Sequence, residues 1–191
     1  MRIERCGQST LLSLIMGKPQ GYGQAGVRQT KAAASRCGRS SVSSAWFPTV
    51  QQICEGMASM DVVCPVFSVG LYDDSGGKEK EAARDWLAVV TLAGQEKSYY
   101  HELSFGQQRL VLLARAMVKQ PRILVLDEPC VGLDDYHRAL ILKLLDTIAG
   151  QTSTQLIYVS HVVGEQPACI NRRYHFVPVA GGGHTLVERN A

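Results

Sequence analysis

At 191 residues, 46% of them hydrophobic and 19% charged, the chain is long enough for one domain with a buried core. A net charge of +3, spread along the sequence and not massed in one block, is too small to argue for a nucleic-acid or membrane surface. No apolar run approaches the roughly 18 residues that cross a bilayer, so direct membrane insertion is not expected. The six cysteines form no Cys-x-x-Cys pair and no ligand-like spacing with the five histidines, which reads as reduced thiols in the cytoplasm.

Near the start, Arg2 and Arg5 precede the apolar stretch Leu11 to Met16, but Gly17-Lys18-Pro19 ends it too early for a signal peptide. Taken alone, residues 5–16 read as a capped amphipathic helix. Residues 21–65 show clustered serines (Ser35, Ser40, Ser41, Ser43, Ser44) and few periodic apolar positions, so no strand is placed there. From Gly70 the pattern becomes regular. Gly76-Gly77 closes a loop, and Lys78 to Ala93 is predicted helical, with Ala82, Trp86, Leu87 and Val90 inward and Gly94 as its stop. The charges Lys78 to Glu81 are a solvated first turn. Tyr99-Tyr100-His101 follows, with His101 a surface or packing residue.

The stretch from Glu102 to Asp135 carries the chemistry. A helix is predicted to start at Ser104, whose side chain caps it while Gln107 returns the bond, with Leu110, Leu113, Ala114 and Met117 at helical spacing and Pro121 as the limit. An anion facing that start meets free N–H groups and the positive end of the helix dipole, and Gly106 has no side chain to hold it off. Next, Ile123 to Leu126 is a short unbroken apolar run, suited to a strand buried on both faces of a parallel sheet. It ends in Asp127-Glu128, two carboxylates where open α/β sheets place their ligands. One can hold Mg²⁺ while the other activates water. Gly132-Leu133-Asp134-Asp135 then turns into another amphipathic helix.

That helix has Leu140, Ile141, Leu144, Leu145 and Ile148 on one face and is predicted to stop at Gly150. Gln155 to Ser160 is a second strand, leading to His161. Tyr174 to Val179 adds a last strand, and Gly181-Gly182-Gly183 is a turn with no helix behind it, hence no phosphate loop.

In motif type, order and spacing, Leu-Ser-Phe-Gly-Gln-Gln-Arg, then an apolar run with Asp-Glu-Pro, then Gly-Leu-Asp resembles the ATP-binding cassette ATPases. Residues 86–178 are most similar to the branch of that family that serves molybdate transport. The resemblance implies an α/β fold: a P-loop NTPase-like parallel sheet flanked by helices, with a helical subdomain, incomplete at the N-terminus. In its terms residues 5–16 are a degenerate phosphate loop and helix, 21–65 match poorly, 70–120 form the helical subdomain and signature, and 121–180 run from the acidic strand to the histidine loop. Gly7, Ser9 and Thr10 fit the phosphate loop, but Gln8 stands where its lysine belongs, and Arg2 and Arg5 stand where its glycines belong. The lost lysine removes a charge-assisted contact worth about 1.5–3 kcal/mol. Gln51 and Gln52 are candidates for the glutamine between lobes, although a solvated loop is the simpler reading. Part of 21–65 reads as out of frame, and the chain as truncated.

Carried over by position, Gly7, Gln8, Ser9 and Thr10 would bind nucleotide, and Ser9 and Asp127 would serve Mg²⁺. Ser104, Gly106 and Gln107 would be signature residues, of which Ser104 and Gly106 would meet the γ-phosphate of an ATP held by a second cassette, in a homo- or heterodimer. Glu128 would be the general base, His161 its helper, and Asp134 the link between the two sites. Two functions fit: an ATPase coupled to transport, of molybdate or a similar substrate, through a membrane permease that holds the chain peripherally at the inner membrane; or a non-hydrolytic cassette partner or decayed fragment that no longer binds ATP on its own.

Overall fold

The computed structural model describes residues 56–64, 76–162, 164–179 and 184–189. The expected phosphate-loop segment 5–16, Gln51, Gln52 and Gly181 to Gly183 therefore lie outside the described residues. Those described fall into two compact units, one within Ser43–Cys169 and the other within Ile170–Ala191.

In the first unit the elements run α1 (Ser59–Val63), α2 (Gly76–Val89), a 3-10 turn (Tyr100–Glu102), α3 (Phe105–Met117), β1 (Ile123–Asp127), α4 (Asp135–Gln151) and β2 (Gln155–Val159). The helix α3 is its hub. Leu110, Val111, Leu112, Leu113, Ala114, Ala116 and Met117 are all buried, because α1 and α2 cover one side and α4 packs on another. Its start is held by the capping box anticipated from the residue pattern: Gln107 N donates to Ser104 Oγ at 3.2 Å, and Ser104 N donates to Gln107 Oε1 at 2.9 Å. Gln108 fastens the preceding turn, donating through Nε2 to the carbonyls of Tyr100 and Leu103.

The helix α2 stops at Val89, earlier than the expected end at Ala93. Thr91, at φ 65°, takes the left-handed position that Gly94 was expected to supply. The Leu92 N–H reaches Leu87 O and the Thr91 N–H reaches Ala88 O, the paired bonds of a Schellman ending, with Leu87 and Leu92 buried together. The inward residue is Ala83 instead of Ala82, while residues 78–81 are exposed as expected. No sequence pattern flagged α1. It docks through Ser59, whose N and Oγ both donate to Ser98 O, and through Met60 N to Glu96 O.

Strands β1 and β2 are parallel, joined by α4, in the register Ile123↔Gln155 to Asp127↔Val159. Leu124, Val125 and Leu126 are fully buried, as an uninterrupted apolar strand requires. The α4 face of Ile141, Leu144, Leu145 and Ile148 is buried, with Leu140 at its margin; the helix runs one residue past Gly150 to Gln151. At the far end of the strands, Thr154 Oγ1 donates to Pro121 O at 2.7 Å and Gln155 N to Arg122 O at 2.8 Å. In the second unit, β3 (Arg173–Pro178) pairs antiparallel with β4 (His184–Arg189). The expected strand at Tyr174 to Val179 thus exists, but its partner is β4, which the sequence reading did not anticipate.

Gly106 is buried, and the His137 ring lies where a Cβ on Gly106 would stand. That ring is anchored, since His137 Nδ1 lies 2.7 Å from Asp134 Oδ2. Replacing Gly106 by Ala therefore sets a helix-propensity gain of up to about 1 kcal/mol against an overlap costing about 1–3 kcal/mol. Gly106→Ala is expected to lose about 1–2 kcal/mol in urea unfolding, and Gly106→Ala with His137→Ala to lose less than the sum of the single changes. Strict additivity would contradict the contact.

Candidate active site

The parallel register brings two functional groups to one sheet edge. Asp127 is the last residue of β1 opposite Val159, and Glu128 N donates to Val159 O at 2.9 Å, extending the ladder one step. Glu128 itself takes φ 49°, a left-handed backbone that costs a non-glycine residue about 1–2 kcal/mol and re-aims its side chain out of the strand. The outcome is a direct contact: Glu128 Oε1 lies 2.8 Å from His161 Nδ1. With the carboxylate accepting, Nδ1 carries the proton, so Nε2 is left facing outward, as an acceptor in the neutral ring and a donor in the imidazolium. His161 is 55% exposed and Glu128 32%, so the pair is open to a ligand.

Asp127 is half-buried, and burial together with the neighbouring Glu128 charge pushes its carboxyl above the ordinary value. Among the described residues it has no cationic partner, and no cage of three or more His, Cys, Asp or Glu ligands gathers anywhere. A pair of adjacent carboxylates with one unpaired member fits Mg²⁺, which takes one or two protein oxygens and fills its other positions with water and phosphate.

The second cluster lies where α3 and α4 begin. Asp134 caps α4, accepting from His137 N at 2.8 Å, and these bonds with His137 hold its carboxyl below the usual range. Since the capping box occupies the amides of Ser104 and Gln107, Phe105 and Gly106 supply the helix's open first-turn N–H groups. Phe105 is 41% exposed, packs against Gly132, and carries the Arg109 guanidinium 5.1 Å from its ring centre. The bareness of Gly106 serves the packing of His137, a reason for glycine there that does not involve a ligand. Gly106 and Asp134 are thus brought together through His137, with Ser104 and Gln107 on the same helix start, and Asp127, Glu128 and His161 form the other group. Gly7, Gln8, Ser9 and Thr10 lie outside the described residues.

Two participants escaped the sequence reading. His137 was signalled only by Asp-x-x-His at a helix start, the spacing at which an N-cap carboxylate and an N3 side chain meet. Arg138, the next residue, donates Nη1 to Asp135 Oδ1 at 2.7 Å and Nη2 to Leu133 O at 3.1 Å.

An acid-tipped parallel strand, a helix-packed crossover and a helical subdomain define an α/β fold of the P-loop NTPase class. The chain belongs to the ABC transporter family, whose model matches residues 6–131, more than half of the sequence. It is 40% identical over 115 residues to the ABC transporter ATP-binding protein ModF of Escherichia coli, covering 60% of this chain and 24% of that protein. With the aliphatic sulfonates import ATP-binding protein SsuB of Bacillus subtilis it shares 31% identity over 165 residues, 84% of this chain and 59% of that one. Among solved structures, an inward-facing transporter assigned to the metal-chelate ABC type matches 88% of this chain and 63% of its own at a TM-score of 0.66 and 23% identity. The cbiO1 protein of Clostridium perfringens, part of the ABC transporter complex cbiONQ, matches 65% of this chain and 48% of its own at 0.55 and 26%. The chain spans less than two thirds of the length of each of these relatives.

The raised Asp127 carboxyl has a stability consequence. Between the ordinary carboxylate range near about pH 4 and the raised folded value, the folded chain keeps a proton that the unfolded chain has lost. The contribution of Asp127 to stability therefore falls as pH rises through that window. Asp127→Asn is expected to melt higher than the unsubstituted chain at pH 7, with the gap narrowing towards pH 4, in scanning calorimetry. An equal or lower melting temperature at pH 7 would contradict the assignment.

Proposed function

We propose that the chain is an ATP-binding cassette that hydrolyses ATP in a pocket completed by a second cassette, in the service of transport. The observation that carries the reading is the Glu128–His161 pair at the carboxyl edge of β1 and β2, beside the unpaired Asp127. Glu128 orients and deprotonates the attacking water. His161 holds the Glu128 carboxylate through Nδ1, which leaves Nε2 to meet the γ-phosphate. The Phe105 and Gly106 amides at the start of α3 receive phosphate charge from the opposing protomer's nucleotide, and Asp134 relays between the halves through His137. Asp127, with Ser9, would hold Mg²⁺, which would supply neutralising charge to the phosphate.

SsuB is named for the import of aliphatic sulfonates, whereas the resemblance of residues 86–178 to the molybdate-transport branch of the family supports molybdate as the substrate. The partners are a second cassette and a membrane permease, and by family resemblance the chain works in the cytoplasm. No described helix is long and apolar enough to span a membrane. Gln8 supports a second reading, a cassette that lends its signature helix to an intact partner without hydrolysing ATP itself.

Turnover at millimolar Mg-ATP decides between them. Glu128→Gln is expected to lower kcat about 100-fold or more, and Gln8→Lys to lower KM about tenfold or more. Turnover unaffected by Glu128→Gln would remove Glu128 as the base. If neither the chain nor Gln8→Lys hydrolyses ATP, the catalytic reading falls and the non-hydrolytic one stands.

A further inference from the structure

We propose that Arg138 is a positioning residue that ties the turn carrying Asp134 to the segment carrying His161, by closing on Glu165. One guanidinium reaches three places. Its two terminal nitrogens hold Leu133 O and Asp135, on either side of Asp134, and its Nε lies 2.9 Å from Glu165 Oε1. Glu165 follows His161 by one turn's length of sequence and returns its N–H to Val162 O at 3.4 Å.

The three contacts differ in weight. Asp135 is 98% exposed, so its ion pair is screened and contributes little. The side chain of Glu165 is only 8% exposed, and its contact with Arg138 is a charge contact rather than a straight hydrogen bond. Taking Arg138 away strands a buried carboxylate, the strongly destabilising way to break such a pair. Cys130, in the turn after Glu128, and Tyr158 of β2 lie within the field of both charges, and Tyr158 Oη donates to Cys130 Sγ at 3.6 Å beside them. The pair thus sits where the segments leaving β1 and β2 meet the start of α4.

His161 depends on this anchor because little else holds it. Its ring is more than half exposed and bonds to Glu128 alone among the described residues, while Val162 N donates to Ser160 Oγ just beyond it. A segment free at Glu165 lets His161 leave the Glu128 carboxylate. Through Arg138 a displacement of the Asp134 turn is passed to His161, which joins the element facing the second cassette to the element facing water. Lysine cannot replace Arg138, since one ammonium does not present a fork to a carbonyl and two carboxylates at once.

The proposal rests on the assignment of His161 as the partner of Glu128, and its test needs no nucleotide, so loss of turnover and failure of the link are told apart. Nitrogen-labelled histidine in the full chain reports the His161 tautomer by NMR at neutral pH, and amide exchange reports its neighbours. The unsubstituted chain is expected to show the Nδ1–H tautomer. In Arg138→Gln, Arg138→Lys and Glu165→Gln that tautomer gives way to a mixture, and exchange at His161, Val162 and Glu165 rises about tenfold. The double variant Arg138→Gln with Glu165→Gln, free of a stranded charge, keeps the fold but also loses the tautomer preference. Folded variants in which exchange quickens only around Leu133 to Tyr136, with the His161 signature unchanged, would overturn the proposal.

Discussion

In the pairing of β1 with β2, Asp127 lies opposite Val159, and the Glu128 N–H adds one more bond to Val159 O. Both chains therefore leave the sheet at the same edge and the same height. A slip of one residue would exchange the two faces of β1 and turn the acids away. The register is held where Thr154 and Gln155 lock the opposite end of the strands to Pro121 and Arg122. The left-handed Glu128 then converts an in-line strand residue into one that meets His161. Strain at that residue is offset by a hydrogen bond on either side of it and a buried strand behind it.

The helix α3 is the other fixed body. Much of it is buried, and the Ser104–Gln107 box closes its first turn, which leaves the N–H groups of the exposed Phe105 and the buried Gly106 without a partner inside the helix. The same turn is in contact with α4 through His137, which also binds Asp134. A glycine at 106 is thus required by helix–helix approach and, in the proposed function, is suited to phosphate as well. The two demands are compatible because the missing Cβ faces His137, whereas the amides run along the helix axis.

Much of this was legible in the residues. The capping box, the buried strand, an amphipathic helix after Asp134 expected to stop at Gly150, and the placing of Asp127, Glu128 and His161 after successive strands follow from the residue pattern. What escaped has physical causes. The end of α2 was assigned to Gly94 because glycine is the usual left-handed residue, yet Thr91 takes that conformation, held by the burial of Leu87 and Leu92. The short α1 is too brief to show a period, and its docking depends on backbone bonds to Glu96 and Ser98 that no local pattern encodes. His137 and Arg138 lie outside the apolar period of α4, and their long-range contacts come only with the approach of α3 and of Glu165. The strand β4 gains its identity from pairing with β3.

The central claim is that the acid-tipped strand of one protomer and the capped helix of another enclose the same triphosphate. Sedimentation of a chain carrying Gln8→Lys and Glu128→Gln, with Mg-ATP or Mg-ADP, tests it most directly when Ser104→Asp is added as the contrast. Aspartate caps a helix as well as serine but repels phosphate. The account predicts a dimer with Mg-ATP, a monomer with Mg-ADP, and no dimer in the Ser104→Asp chain despite an unchanged melt. A dimer that forms equally with either nucleotide, or that survives Ser104→Asp, would contradict it.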